Sequence, residues 1–133
     1  MALVAPSAEG IVSRPSPYSA AQTLGRLEKA IAERGLTVFA RFDHAAAARA
    51  VGLEMPDACV LVFGNPVAGT PVMVASPLIA IELPLRVLVW VGAGGDVFVS
   101  YANPAYVAAR FGVPAQLTRN IGAVGALVEA ALG

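Results

Sequence analysis

The uncharged stretch over residues 58–81 limits the folds available to this 133-residue chain more than any other feature. A helix that crosses a bilayer needs about 20 largely apolar residues without repeated helix breakers. This stretch instead predicts a buried strand over residues 58–63, followed by a proline-rich crossover. Within the crossover, residues 70–76 are expected to form a helical turn with proline at its first position. The breakers are Gly64, Pro66, Gly69, Pro71 and Pro77.

The composition indicates a single domain with more apolar surface than a monomer normally exposes. Apolar residues make up 57% and charged residues 14% of the chain, whereas a globular domain usually has about 25% charged residues. We therefore expect one domain over residues 1–133 and a homodimer whose interface covers part of that surface. The first ten residues lack the basic region and apolar block of a signal peptide, so we expect a cytoplasmic protein without a membrane partner.

Charge and cysteine content argue against several further classes of function. Nine basic residues balance nine acidic ones, and neither sign forms a run, so we expect no nucleic-acid partner. The single cysteine, Cys59, excludes an internal disulfide and is interpreted as a buried thiol. His44 and this distant cysteine are a poor ligand set, and we expect neither a metal nor a cofactor.

The N-terminal half alternates between strand and helix patterns. Ser19 is placed to cap an amphipathic helix that ends before Gly35. Arg41 is expected on the polar face of the next strand, and the Asp43 carboxylate is expected to cap a short alanine-rich helix. The predicted elements are strand 11–14, helix 19–34, strand 36–42, helix 44–51 and strand 58–63.

The C-terminal half predicts an antiparallel hairpin followed by helices. A glycine-rich loop of about five residues, 92–96, joins two β-rich runs. Asn103 and Pro104 form a cap and first-turn pair for a helix that ends near Arg110, and the periodicity predicts a last helix over residues 115–132. The predicted fold class is α+β, an antiparallel sheet in β-α-β(4)-α order with helices packed on one face.

Two glycine-containing segments lack the residues that phosphate-binding loops require. Residues 92–95 lead into a strand, whereas a dinucleotide-binding loop opens a helix. Residues 64–70 have the spacing of a P-loop but no lysine, and Pro66 removes a backbone N–H. We interpret the first segment as a hairpin loop and the second as a strand exit followed by a turn.

The only histidine follows a carboxylate, in Asp43-His44, and this pair allows two interpretations. In the functional one His44 transfers a proton, because imidazole exchanges protons near neutral pH. In the structural one, which the spacing favours, Asp43 caps a helix and His44 bonds to local backbone. Ser76 and Ser100 lack a recognisable nucleophile context, so catalytic residues stay unassigned. Glu82 and Arg86 are expected to form an ion pair at a strand entry.

The spacing of several residues corresponds to that of one known family. These residues are Leu24, Leu27, Gly35, Asp43, His44, Ala48, Gly52, Phe63, Gly64, Asn65, Pro66, Pro77, Leu83, Pro84, Tyr101 and Pro104. On this spacing the chain resembles the domain of unknown function 302 family over about residues 10–112. The resemblance implies a TATA-binding-protein-like fold, usually a homodimer, with no established activity. It also marks Asp43, His44, Asn65 and Pro66 as signature positions that share a site. The predicted last helix lies largely outside the region of resemblance.

Three functions stay open, of which small-molecule binding ranks first. In this hypothesis a homodimer holds a small apolar or amphipathic ligand in a hollow lined by aromatic residues around His44 and Asn65. A protein-interaction module that uses an apolar face of the sheet or the last helix ranks second. An enzyme in which Asp43 orients His44 ranks third. The expected aromatic lining is Phe42, Phe63, Trp90 and Phe98, and the candidate ligand-binding residues are Asp43, His44, Gly64, Asn65, Pro66 and Tyr101.

Overall fold

The computed structural model describes residues 5–133 and contains a five-stranded antiparallel sheet with helices packed against it. This architecture confirms the predicted fold class. The strands are β1 (Ile11–Pro15), β2 (Thr37–Asp43), β3 (Ala58–Gly64), β4 (Leu85–Val91) and β5 (Val97–Ala102), in the spatial order β1-β5-β4-β3-β2. The helices are α1 (Ala20–Glu33), α2 (His44–Ala50), α3 (Pro66–Ala75), α4 (Pro104–Phe111) and α5 (Ala123–Leu132), with 3-10 helices over Pro77–Ile81 and Ala115–Ile121.

Local capping bonds explain where the N-terminal helices begin and end. The Ser19 hydroxyl accepts a hydrogen bond from the Gln22 N–H at 3.1 Å, and the Gln22 side chain accepts one from the Ser19 N–H at 3.2 Å. This reciprocal pair satisfies backbone donors that a helix start otherwise leaves unpaired. Gly35 follows α1 at a φ of +70°, a conformation that disfavours residues with a side chain. The predicted boundaries of α1 are thereby confirmed.

The two faces of the sheet differ in what covers them. One face, here called the covered face, packs against α1 and α5 and includes Leu61, Val89 and Val99, each 1% exposed or less. Strand residues alternate between faces, so the neighbouring positions point the other way. On this opposite side, here called the open face, Val60, Val62, Leu88 and Trp90 remain partly exposed, and Phe42 is 54% exposed.

A second, smaller core lies among α3, α4 and the two 3-10 helices. Its buried members are Val72, Ile79, Ala108 and Ile121. Leu85, at the start of β4, packs against both this cluster and the main core. The crossover and the C-terminal segments therefore form a cap beside the sheet rather than a separate unit.

The crossover after β3 is more helical than the sequence predicted. We expected a helical turn over residues 70–76 with Pro71 first, but α3 begins at Pro66 and Pro71 lies inside it. The Asn65 side chain accepts a hydrogen bond from the Val67 N–H at 3.0 Å, and Pro66 occupies the first turn, where a missing N–H costs little. Pro77 does end the helix, as predicted.

The predicted last helix is divided in two. Residues 115–121 form a 3-10 helix, and α5 starts only after Gly122, whose backbone has a ψ of 0°. Glycine has the weakest helix preference after proline, which explains why the break falls at this residue. Among the described residues, no helix has the length and apolar character needed to cross a membrane.

The prediction that Arg41 lies on a polar face of its strand is wrong. β2 is an edge strand, and Arg41 stands opposite the buried Leu61, on the same side of the sheet as α1. There its Nη1 donates to Glu28 Oε1 at 2.7 Å, and half of the arginine side chain remains in solvent. At a sheet edge a long side chain can cover the core with its stem and still keep its charge in water.

Candidate functional site

The predicted site residues do not lie together in the folded chain. Asp43 ends β2 and pairs with Cys59 at the start of β3, whereas Asn65 follows the last residue of β3, Gly64. Cys59 and Gly64 are five residues apart along an extended strand, a separation of about 17 Å. Asp43 and His44 therefore lie at one end of the sheet and the Gly64-Asn65-Pro66 segment at the other, so one chain does not assemble the shared site that the family signature implied.

The Asp43-His44 corner has the geometry of a helix start. Asp43 Oδ1 accepts a hydrogen bond from the Ala46 N–H at 2.9 Å, which caps α2 as predicted. His44 is the first residue of α2 and is exposed. Because the carboxylate faces the helix N–H groups, this corner shows a cap and no base-orienting contact.

The Gly64-Asn65-Pro66 segment borders a cavity of about 360 Å³, here called the corner cavity. Phe39, Met73 and Leu83 form part of its apolar wall. Its polar members include Arg119 and Asn120, and Asn120 Nδ2 donates to the Ala68 carbonyl at 3.0 Å. Three of the six candidate residues thus line a real cavity, although Asn65 itself is engaged as the cap of α3.

A larger cavity of about 540 Å³, here called the sheet cavity, contains Tyr101 in its lining. β4 and β5 are paired from Leu88 to Val91, but no pairing joins Leu85–Val87 to Tyr101 and Ala102. The cavity is lined both by Trp90 of the open face and by Val124 of α5, which packs on the covered face. It therefore reaches both sides of the sheet at the point where these two strands diverge.

Three polar side chains form a chain of hydrogen bonds along the wall of the sheet cavity. The Trp90 indole Nε1 donates to Ser100 Oγ at 2.9 Å, and Ser100 Oγ lies 2.6 Å from Ser13 Oγ. All three residues line the cavity. This group was not predicted from the sequence, where its only signal is one serine in each of two strands whose register brings them opposite each other.

An ion-pair cluster stands on the same wall of the cavity. Arg86 Nη2 donates to Glu82 Oε2 at 2.7 Å, which confirms the predicted pair. Arg110 Nη1 lies 3.6 Å from the other oxygen of the same carboxylate. Two guanidinium groups thus share one carboxylate, and the cluster carries a net positive charge.

The sheet cavity and the corner cavity adjoin. Leu83, Leu85 and Ile121 belong to the walls of both. The expectation of one hollow lined by four aromatic residues is only partly met, because Trp90 lines the sheet cavity while Phe63 is fully buried on the covered face. Alternation along β3 places Phe63 on the side opposite Val60 and Val62, which excludes it from the open face.

Cys59 lies within the main core and is a structural thiol. Burial raises the pKa of its thiol, an effect that the nearby Arg41 guanidinium partly opposes. A thiol kept protonated is a poor nucleophile and a poor metal ligand. Within residues 5–133, no three His, Cys, Asp or Glu side chains come close enough to hold a metal ion.

Sheet order, helix placement and the two cavities define an α+β domain with a hollow at one end of an antiparallel sheet. The sequence profile of the family described as "Domain of unknown function DUF302" matches residues 12–132, and the chain belongs to that family. The matched region includes α5. A solved structure of an uncharacterized conserved DUF302 protein from Bacillus stearothermophilus has the same fold, with a TM-score of 0.78 at 18% identity over 94% of this chain and 97% of that one.

Relatives with closer sequences come from Brucella species. The chain is 37% identical over 101 residues, 76% of its length, to proteins named "Fluoride-specific ion channel FluC 1" in Brucella suis and Brucella abortus. The matched segment is only 40% of the first of these proteins and 37% of the second. The chain thus spans well under half the length of these curated relatives.

Proposed function

We propose that this domain binds a small apolar or amphipathic molecule in the sheet cavity. The observation that carries the proposal is a cavity of about 540 Å³ with a mostly apolar wall and a few converging polar groups. Ligand pockets typically measure about 300–1,000 Å³ and have this composition. The loss of pairing between β4 and β5 supplies the opening, because a fully paired sheet leaves no space between neighbouring strands.

The test uses Trp90, the only tryptophan of the chain, as a fluorescent reporter inside the cavity wall. Small neutral and charged amphiphiles are titrated while indole emission is recorded, and native mass spectrometry checks the stoichiometry. At least one probe is expected to shift the emission. Absence of any response from a folded protein across the library contradicts the proposal.

A matched pair of variants localises the binding. Val60→Phe fills part of the sheet cavity, while Val62→Phe adds the same bulk to the same face of β3 outside the lining. We expect Val60→Phe to weaken binding at least several-fold and Val62→Phe to leave it nearly unchanged. Equal effects of the two variants place the ligand elsewhere.

We propose further that two copies associate through the open face. The exposed aromatic and aliphatic side chains there, together with a charged fraction of only 14%, support this arrangement. Exposed apolar patches of this kind commonly mark subunit interfaces. The cytoplasmic location stays a prediction from the sequence.

A second candidate function is that of an interaction module for an ion channel. The names of the Brucella proteins favour it, because a segment similar to this chain occurs within longer proteins called fluoride-specific ion channels. We expect this chain to capture a purified fluoride-specific channel. We expect an open-face variant such as Leu88→Glu to lose that capture. Binding that persists in that variant, or no capture at all, contradicts this function.

A further inference from the structure

We infer that the sheet cavity selects a ligand whose apolar body carries an anionic oxygen group, with a carboxylate as the simplest case. The inference rests on the proposed ligand-binding function and adds the chemical class of the ligand. It follows from the balance of donors, acceptors and charges on the cavity wall.

The serine–tryptophan group leaves one hydroxyl donor unused. Trp90, Ser100 and Ser13 together carry three donor hydrogens, one on the indole and one on each hydroxyl. Two hydrogen bonds join the three side chains. Whichever serine donates to the other, one O–H remains, so this part of the wall offers a donor to a ligand in either arrangement.

The charged cluster contributes a positive end to the same wall. Among residues 5–133, Glu82 and Arg86 are the only formally charged residues that line the cavity. The Glu82 carboxylate accepts from Arg86 on one oxygen and faces Arg110 with the other. Its acceptor sites are therefore largely occupied, whereas the half-exposed Arg86 guanidinium keeps donor hydrogens that can meet a further oxygen.

The two donor groups lie on the same side of the sheet and close to each other. Arg86 is two residues along β4 from Leu88, and Leu88 is the register partner of Ser100. Two residues of extended strand cover about 7 Å, so Arg86 and the serine group belong to neighbouring parts of the same wall, with the Arg86 guanidinium directed to Glu82. A carboxylate placed here receives charge-assisted bonds, while the apolar remainder of the ligand contacts Leu88, Trp90 and Val60.

A cationic ligand finds no comparable partner among the described residues of this wall. The one carboxylate already has two guanidinium neighbours, and the remaining polar side chains are hydroxyls and the indole. A neutral amphiphile gains the apolar contacts but not the charge-assisted bonds. The wall therefore favours anions over both alternatives.

The experiment compares octanoate, which is ionised at pH 7, with octanamide, its uncharged analogue of the same size. Both are titrated into the native chain, and Trp90 emission is the readout. Octanoate is expected to bind about tenfold more tightly than octanamide, the ratio that one charge-assisted bond supplies. Added salt is expected to weaken octanoate binding more than octanamide binding.

Arg86→Gln removes the positive charge, and Arg41→Gln is its matched control. Both arginines lie on strands, donate to a glutamate at 2.7 Å and are about half exposed, but Arg41 is outside the cavity wall. Arg86→Gln is expected to abolish the preference for octanoate and to leave octanamide binding within about twofold. Arg41→Gln is expected to change neither affinity.

The outcomes separate this inference from the function on which it rests. Equal affinities for the two probes, or an unchanged preference in Arg86→Gln, overturn the anion selectivity while ligand binding in the cavity stands. Failure of both probes and of the wider library to change Trp90 emission overturns the ligand-binding function and the selectivity together. If Arg41→Gln abolishes the preference for octanoate as completely as Arg86→Gln does, the effect comes from net charge, and the inference is overturned as well.

Discussion

The covered and open faces of the sheet carry similar aliphatic residues, but these residues differ in how deeply they are buried. Leu61 and Val89 on the covered face are buried against α1 and α5, whereas Leu88 and Val60 on the open face keep part of their surface in solvent. Both sets are aliphatic and alternate along the same strands. Apolar character alone therefore does not identify the core of this domain; the side from which the helices approach decides which residues form it.

The largest expected effect is on the covered face. Leu61→Ala should lower the free energy of unfolding by about 3 kcal/mol, because it leaves a cavity among fully packed neighbours. Leu88→Ala, the same change on the open face, should cost about 1 kcal/mol in the isolated chain, because its side chain buries less surface. Urea denaturation at low protein concentration measures both. Equal costs there would remove the distinction between the two faces.

The next effect concerns association through the open face. Val62→Glu places a charge within the proposed interface and is expected to convert a dimer to a monomer. Light scattering after gel filtration gives the mass directly. Val74→Glu is the control, since Val74 is 77% exposed on α3, away from the sheet. A native chain that is monomeric at all concentrations, or a Val62→Glu dimer of unchanged stability, contradicts the proposed interface.

The smallest effects are expected at the Asp43-His44 corner, whose two residues belong to the wall of neither cavity. Asp43→Ala removes the cap of α2 and should cost about 1 kcal/mol of stability. His44→Ala should change stability by less than about 0.5 kcal/mol, because the side chain is exposed. Thermal unfolding measures both, and neither variant should alter Trp90 titrations. A loss of ligand affinity in His44→Ala would show that this corner belongs to the site after all.

Helix starts were predictable where a capping residue directly precedes an uninterrupted helical pattern. Ser19, Asp43 and Asn103 each cap a helix as their sequences predict. The pair Asn65-Pro66 carries the same signal as Asn103-Pro104, yet the breakers Gly69 and Pro71 that follow concealed it. Both residues nevertheless lie inside α3. The sequence around them does not indicate the tertiary packing of this helix.

The separation of the candidate residues follows from strand pairing. In an antiparallel pair, the end of one strand lies beside the start of the next, so Asp43 meets Cys59 and cannot meet Asn65. The separation of Asp43 from Asn65 therefore already follows from the predicted antiparallel sheet. The sheet cavity, by contrast, arises where β4 and β5 lose their pairing, a long-range arrangement that leaves no mark in the sequence of either strand.

The divergence of β4 and β5 also divides the sheet mechanically. At that end β1 and β5 form one unit of the sheet and β4, β3 and β2 another, and the strand pairing between the two units is confined to the residues next to the hairpin loop. Backbone amides that face the gap lack strand partners although both strands are interior by order. We expect them to exchange with deuterium as quickly as those of a sheet edge, and a molecule lodged in the gap to slow that exchange.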